Sequence, residues 1–156
     1  MILGLFVLAI AILIKYPKKP QCLEGGFPMS YTINRTFDGA AMHDIEARTR
    51  SALADAGFGV LTEIDVKATM KKKINKDMPE YRILGACNPD MAWQAIGLEP
   101  KVGAMLPCNV ILRQTDTGVE VSAIDPHASM MAIDNDDLKR VAGEVRDLLR
   151  GMMQAI

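Results

Sequence analysis

Residues 135–156, NDDLKRVAGEVRDLLRGMMQAI, carry Leu138, Val141, Val145, Leu148, Leu149, Met152 and Ile156 at the i, i+3, i+4, i+7 spacing of one helix face. Asn135 stands where an N-cap belongs. Asp136 and Asp137 fall in the first turn, where the positive end of the helix dipole favours acids. A stripe this continuous is stable only when it is covered, because most of a helix's stability in a protein comes from packing its apolar face. The rest of the chain must therefore supply an apolar surface long enough to receive it.

That surface reads as a sheet. VILRQ and VEVSAI flank the turn TDTG and predict an antiparallel hairpin. Three further strands are expected at YTINRTF (31–37), FGVLTEI (58–64) and YRILGA (81–86). Between them, AAMHDIEARTRSALADA reads as a helix with Met42, Ile45, Thr49, Ala52, Leu53 and Ala56 on one face and Gly57 behind it. DVKATMKKKI reads as a short helix capped by Asp65, with Val66, Thr69, Met70 and Ile74 inward. NPDMAWQAI is a third helix, LEPKVGAM a connection, and DPHASMMAID irregular. A hairpin in such an order predicts an α+β fold: an antiparallel sheet of about five strands packed against helices, with a long C-terminal helix.

The chain has 156 residues, enough for one domain that buries roughly two-thirds of its unfolded surface without staples. The N-terminus stands apart. MILGLFVLAIAILI, residues 1–14, is apolar throughout and is followed by KYPKKP. As a helix it would span about 21 Å, short of the roughly 30 Å of a bilayer core. Tyr16 and the stems of Lys15, Lys18 and Lys19 would extend it by snorkelling, and those lysines favour a cytoplasmic domain tethered to the inner face. Two readings stand: a short membrane anchor, or a start assigned upstream of the true one at Met29. Residues 15–28, with three prolines and two glycines, form a linker, and the domain runs over 29–156.

The formal net charge of −1 and only eight aromatic residues give the domain no electrostatic or stacking platform for nucleic acid. No P-loop, G-x-G-x-x-G, G-x-S-x-G or H-E-x-x-H occurs. Lys71, Lys72, Lys73 and Lys76 read as a solvated helix face. Glu63 and Asp65 are too ordinary a pair to name a hydrolase, and His43 falls on an exposed helix position.

Chemistry points instead to the cysteines. Three of them, Cys22, Cys87 and Cys108, make no disulfide framework and suit a reducing compartment. Cys87 precedes Asn88-Pro89-Asp90, a helix start in which Asn caps, Pro occupies the first turn and Asp meets the dipole. A thiol near a helix N-terminus can be acidified into a nucleophile or a ligand; it can equally be plain core filling. Cys108 lies between Pro107 and Asn109 at the start of a strand. Asp125-Pro126-His127 ends another strand. By residue type, Cys87, Cys108, His127 and Asp125 would suit a zinc or copper ion, or a Cys–His nucleophile with an acid behind it. The spacing of the two cysteines matches no zinc motif, and Asp-Pro after a strand is ordinary turn chemistry.

GFGVLTEIDVKATMKKKI, YRILGACNP, EPKVGAMLPCNVIL and VSAIDP, in this order, resemble the family catalogued as domain of unknown function 302. The resemblance implies an α+β sandwich similar to the TATA-binding-protein arrangement and a homodimer, with no settled biochemical function. Cys87, Asn88, Pro89, Pro107, Cys108, Asn109, Asp125 and Pro126 match its motif positions. Two functional readings follow. One is a dimeric binding module that holds a metal ion or small ligand at Cys87, Asn88, Cys108, Asn109 and Asp125, with His127 as a further metal ligand. The other is a thiol-redox or cysteine-nucleophile enzyme in which Cys87 reacts and Cys108 resolves. The cofactor is unknown on either reading.

Overall fold

The computed structural model of the chain describes residues 30–156. The apolar segment 1–14, the linker 15–28 and Cys22 lie outside the described residues.

Five strands form one antiparallel sheet: β1 (Thr32–Asp38), β2 (Gly59–Asp65), β3 (Tyr81–Cys87), β4 (Cys108–Gln114) and β5 (Gly118–Ile124), in the spatial order β1-β5-β4-β3-β2. The β4–β5 hairpin closes as expected at TDTG, where the Thr115 amide donates to the Gly118 carbonyl at 2.8 Å. β1 then pairs with the far side of β5, from Thr32 opposite Ile124 to Asp38 opposite Gly118. On the other flank the β2–β3 ladder slips between Val60 and Thr62, so Leu61 bulges from the edge.

The period of two along a strand decides which residues meet the helices. Cys108, Val110 and Leu112 of β4, and Val119, Val121 and Ala123 of β5, are buried under the helix layer. Helix α1 (Met42–Asp55) lays Ile45, Ala52 and Leu53 on them. Thr49 is fully buried there, and its hydroxyl donates back to the Ile45 carbonyl at 2.7 Å. The C-terminal half of α5 (Asp136–Ala155) adds Val145, Leu149 and Met152, with Ile156 just beyond. Each such side chain, fully buried, is worth about 1.5–3 kcal/mol of transfer free energy. Leu148, expected on the stripe, stands off it and is exposed; Met153 takes the buried position instead.

The N-terminal half of α5 covers a second, smaller core. Leu138, Val141 and Ala142 meet Ala95 of α3 (Pro89–Leu98), Val102 of a 3-10 helix (Pro100–Met105) and Met130 after α4 (Pro126–Ser129). Regular structure thus reaches into the stretches expected as a connection and as irregular chain. Proline begins each of these three short elements. Asn135 caps α5 as predicted: its side chain accepts from the Leu138 amide at 3.0 Å and donates to the Leu98 carbonyl at 3.1 Å.

Helix α2 (Val66–Ile74) departs from its expectation. Asp65 caps it, accepting from the Ala68 amide at 2.8 Å, but none of its residues is buried. Val66 is half-buried; Thr69, Met70 and Ile74, expected inward, are exposed. The helix packs against β2 and β3 at the sheet's edge. Periodicity defined its apolar face correctly, yet no other layer covers that face. No helix among the described residues is long and apolar enough to cross a membrane.

Candidate functional site: the strand ends at Cys87 and Cys108

Strands β3 and β4 run side by side with Ala86 opposite Cys108 and Gly85 opposite Asn109. Ala86 and Cys108 therefore face the helices, while Gly85 and Asn109 face the open side of the sheet. The two Cys-Asn pairs, alike in sequence, are used differently. Cys87 ends β3 and Asn88 leaves the strand to cap α3; Cys108 begins β4 and Asn109 remains in the strand, exposed.

Asn88 accepts from the Met91 amide at 3.2 Å. Its side-chain nitrogen lies against Gly57, which has φ +79°, and a Cβ on that glycine would stand 3.1 Å away. Asp125 performs the same duty for α4, accepting from the Ala128 amide at 3.1 Å, while its own amide donates to Tyr31 at 2.8 Å. The C-N-P and D-P motifs are thus two copies of one device, a strand that turns directly into a proline-started helix. Gly85 and Pro107 are also coupled. A Cβ on Gly85 would collide with the Thr62 hydroxyl and stand 2.8 Å from the Pro107 ring, so only glycine lets these two pack over the strand.

Behind the strand ends, on the helix side, lies a small apolar cleft of about 30 Å³. Its walls include Phe58, Ala86, Met91, Met130, Val141 and Val145, and both cysteines contribute. Asn88 is the one polar side chain on the wall besides the thiols. The volume matches one or two water-sized probes, and walls of this kind hold no water tightly. Cys108 also borders a second, wider groove, with Pro107, Asn109 and Ile124. The expected set is therefore divided: Cys87, Asn88 and Cys108 converge on the cleft, Asn109 faces away, and Asp125 is engaged as a cap.

The thiols are free, Cys108 buried and Cys87 half-buried. Burial pushes the Cys108 thiol up to about 11, and the neighbouring Cys87 adds to the rise. Burial also raises Cys87. Neither thiol shows the acidification that a helix start can bring, and burial is the main cause of the rise in both. His127 lies along α5, its ring 3.9 Å from where a Cβ on Gly143 would be. Among the described residues no three His, Cys, Asp or Glu side chains form a group able to hold a metal ion, so Cys87, Cys108 and His127 are not gathered as ligands.

The carboxylates of β2 are spoken for. Glu63 bonds Arg50 and Arg82, Asp65 lies 3.6 Å from Arg82, and Glu46 of α1 bridges both arginines. The Arg50 hydrogen bond holds the Glu63 carboxyl below its ordinary range. His43 is exposed, as expected. The apolar walls Phe58, Met91, Met130 and Val141 carry no motif. Val141 was marked only as part of the α5 stripe, and the spacing of Met91 and Ala95 on α3 is the one further signal.

No curated protein matches the chain. Among solved structures it is similar to the crystal structure of an uncharacterised conserved protein of the same family from Bacillus stearothermophilus, at 22% identity and a TM-score of 0.75. That match covers 80% of this chain and 97% of the other, and it shows a shared fold. The family model described as domain of unknown function DUF302 matches residues 33–156, which hold both Cys-Asn pairs, the Asp125-Pro126 cap and the whole sheet except Thr32; the chain belongs to the DUF302 family.

Proposed function

We propose that this domain is a small binding module that receives an apolar ligand in the cleft behind Cys87 and Cys108. The observation that carries the reading is the composition of that cleft: apolar walls drawn from the sheet, α3 and α5, with Asn88 alone to orient a polar end. At about 30 Å³ the cleft is too small for a ligand of several carbons, which enters only as α3 moves outward. Support for that motion is the thin outer cover of α3, where Trp93, Ile96 and Leu98 are exposed. Raised thiols and an incomplete ligand set favour this reading over nucleophilic chemistry or a bound metal ion.

The test uses methionine methyl NMR with octanoate as probe. Met91 and Met130 line the cleft, whereas Met152 belongs to the main core. Shifts confined to Met91 and Met130, lost in Ala92→Leu, support the module; no shift at either methyl at millimolar probe removes it.

The homodimer implied by the family resemblance is part of the same proposal. Its support is the sheet's open face, where Tyr81, Ile111 and Ile124 line a broad depression that no helix covers. Light scattering should give a dimer that Ile111→Glu converts to a monomer. A wild-type monomer at high micromolar concentration would remove this part while leaving the cleft untouched. A cytoplasmic, tethered placement is supported by the lysines that follow residues 1–14.

A further inference from the structure

Helix α2 makes no contribution to either core, yet it is not a polar helix. At 100° per residue Val66, Met70 and Ile74 share one face. Met70 is 36% and Ile74 60% exposed, and on the strand leading into the helix Ile64 and the bulged Leu61 are exposed as well. Large apolar side chains exposed together on one helix face and the strand leading into it call for a covering partner.

The charge around it narrows the partner's chemistry. Residues 66–76 hold Lys67, Lys71, Lys72, Lys73 and Lys76 and no acid, in a chain whose formal net charge is −1. Lys71 pairs with Asp77 at 2.9 Å and Lys67 approaches Glu80 at 3.9 Å. Lys72, Lys73 and Lys76 form no ion pair among the described residues. On the helical wheel Lys73 and Lys67 bracket the apolar arc from either side. Long lysine stems lie along apolar surface while their heads reach outward, the arrangement of a helix lying flat at a lipid interface. Each lysine near an anionic surface adds attraction that depends on salt.

We propose that α2 docks the domain on the surface of an anionic phospholipid bilayer, with Met70 and Ile74 entering the headgroup boundary and the lysines meeting lipid phosphates. Charge complementarity selects lipid over a second copy of this chain, because two α2 helices meeting on a twofold axis would set eight lysines against one another. The proposal is independent of the cleft and does not involve residues 1–14.

A tryptophan on α2 tests it in the full chain. Trp93 is the chain's one tryptophan, so Trp93→Phe with Ile74→Trp leaves a single reporter on the helix. Its emission should shift to the blue with vesicles of phosphatidylcholine mixed with phosphatidylglycerol, stay unchanged with phosphatidylcholine alone, and return to the red in about 0.5 M salt. Lys72→Glu with Lys73→Glu in the reporter chain should raise the anionic-lipid concentration needed for half of the blue shift by at least about tenfold, since both positions turn from attraction to repulsion. An unshifted reporter on chains that sediment with the mixed vesicles would overturn the proposal, because binding would then lie elsewhere. An equal lipid dependence of the blue shift in the charge-reversed variant would overturn it too. So would light scattering in which Ile74→Glu turns a dimer into a monomer, which would assign the face to a second copy.

Discussion

Gly85 and Cys108 show how closely the strand ends are packed. Gly85→Ala places a methyl against the Thr62 hydroxyl and the Pro107 ring, so urea denaturation should show a loss of about 1–3 kcal/mol. Thr62→Ala in the same chain should recover part of that loss, while the Pro107 contact keeps the rest. Cys108 gives a pH signature. Its folded pKa lies above its unfolded value, so the folded state holds the proton more tightly. The stabilisation is complete below about pH 9 and is lost as pH rises toward about 11, by up to about 3 kcal/mol. Cys108→Ala should have lower stability throughout but a flatter alkaline slope than wild type, read from urea midpoints between those limits. The residue types at the site were legible in the sequence. Their grouping was not, although strand alternation alone separates Cys108 from Asn109: nothing local to either Cys-Asn pair says that the ends of β3 and β4 lie side by side.

At the scale of elements, the caps are the parts that the sequence showed most directly. Asp65, Asn88 and Asn135 each accept the amide three residues on, as a cap must. Asn88→Ala and Asp125→Ala should each cost about 1 kcal/mol, while Asn88→Asp should retain most of the stability. Asn135→Ala should cost somewhat more, because the side chain also donates to Leu98 and so ties α5 to the end of α3. Leu149→Ala, at a fully buried position on the strongest stripe, should cost about 2–5 kcal/mol. Helices α5 and α2 mark the limit of periodicity as a guide. Both have an apolar face in sequence, but burial depends on a second surface that local spacing does not encode. The sheet facing α5 was inferred from its strands; nothing local to α2 says that its face stays open. The 3-10 helix and α4 escaped notice because each is only a turn or two long and starts from a proline that equally marks a loop.

Across the whole molecule, β1 is joined to distant parts of the chain. Arg35 donates to the carbonyls of Met153 and Gln154 at 2.8 and 2.7 Å, satisfying groups that the end of α5 would otherwise leave to water. The same guanidinium lies over the Phe37 ring at 4.9 Å. Arg35→Ala should therefore loosen α5 from its last turn, with faster hydrogen exchange at residues 152–156 than at 138–142. The edge position of β1 was not legible in the sequence, because pairing between strands so far apart leaves no local signal. It also fixes an order of events at the ribosome. β1 is synthesised first, yet the strand it pairs with, β5, begins at Gly118, 80 residues after Asp38. At usual translation rates that interval is about 4–16 s. During it β2, β3 and β4 can assemble as neighbours while β1 waits without a partner. Newly made chains of this protein therefore stay open along one flank until nearly the whole domain has been made, and during that interval they depend most on whatever shields them.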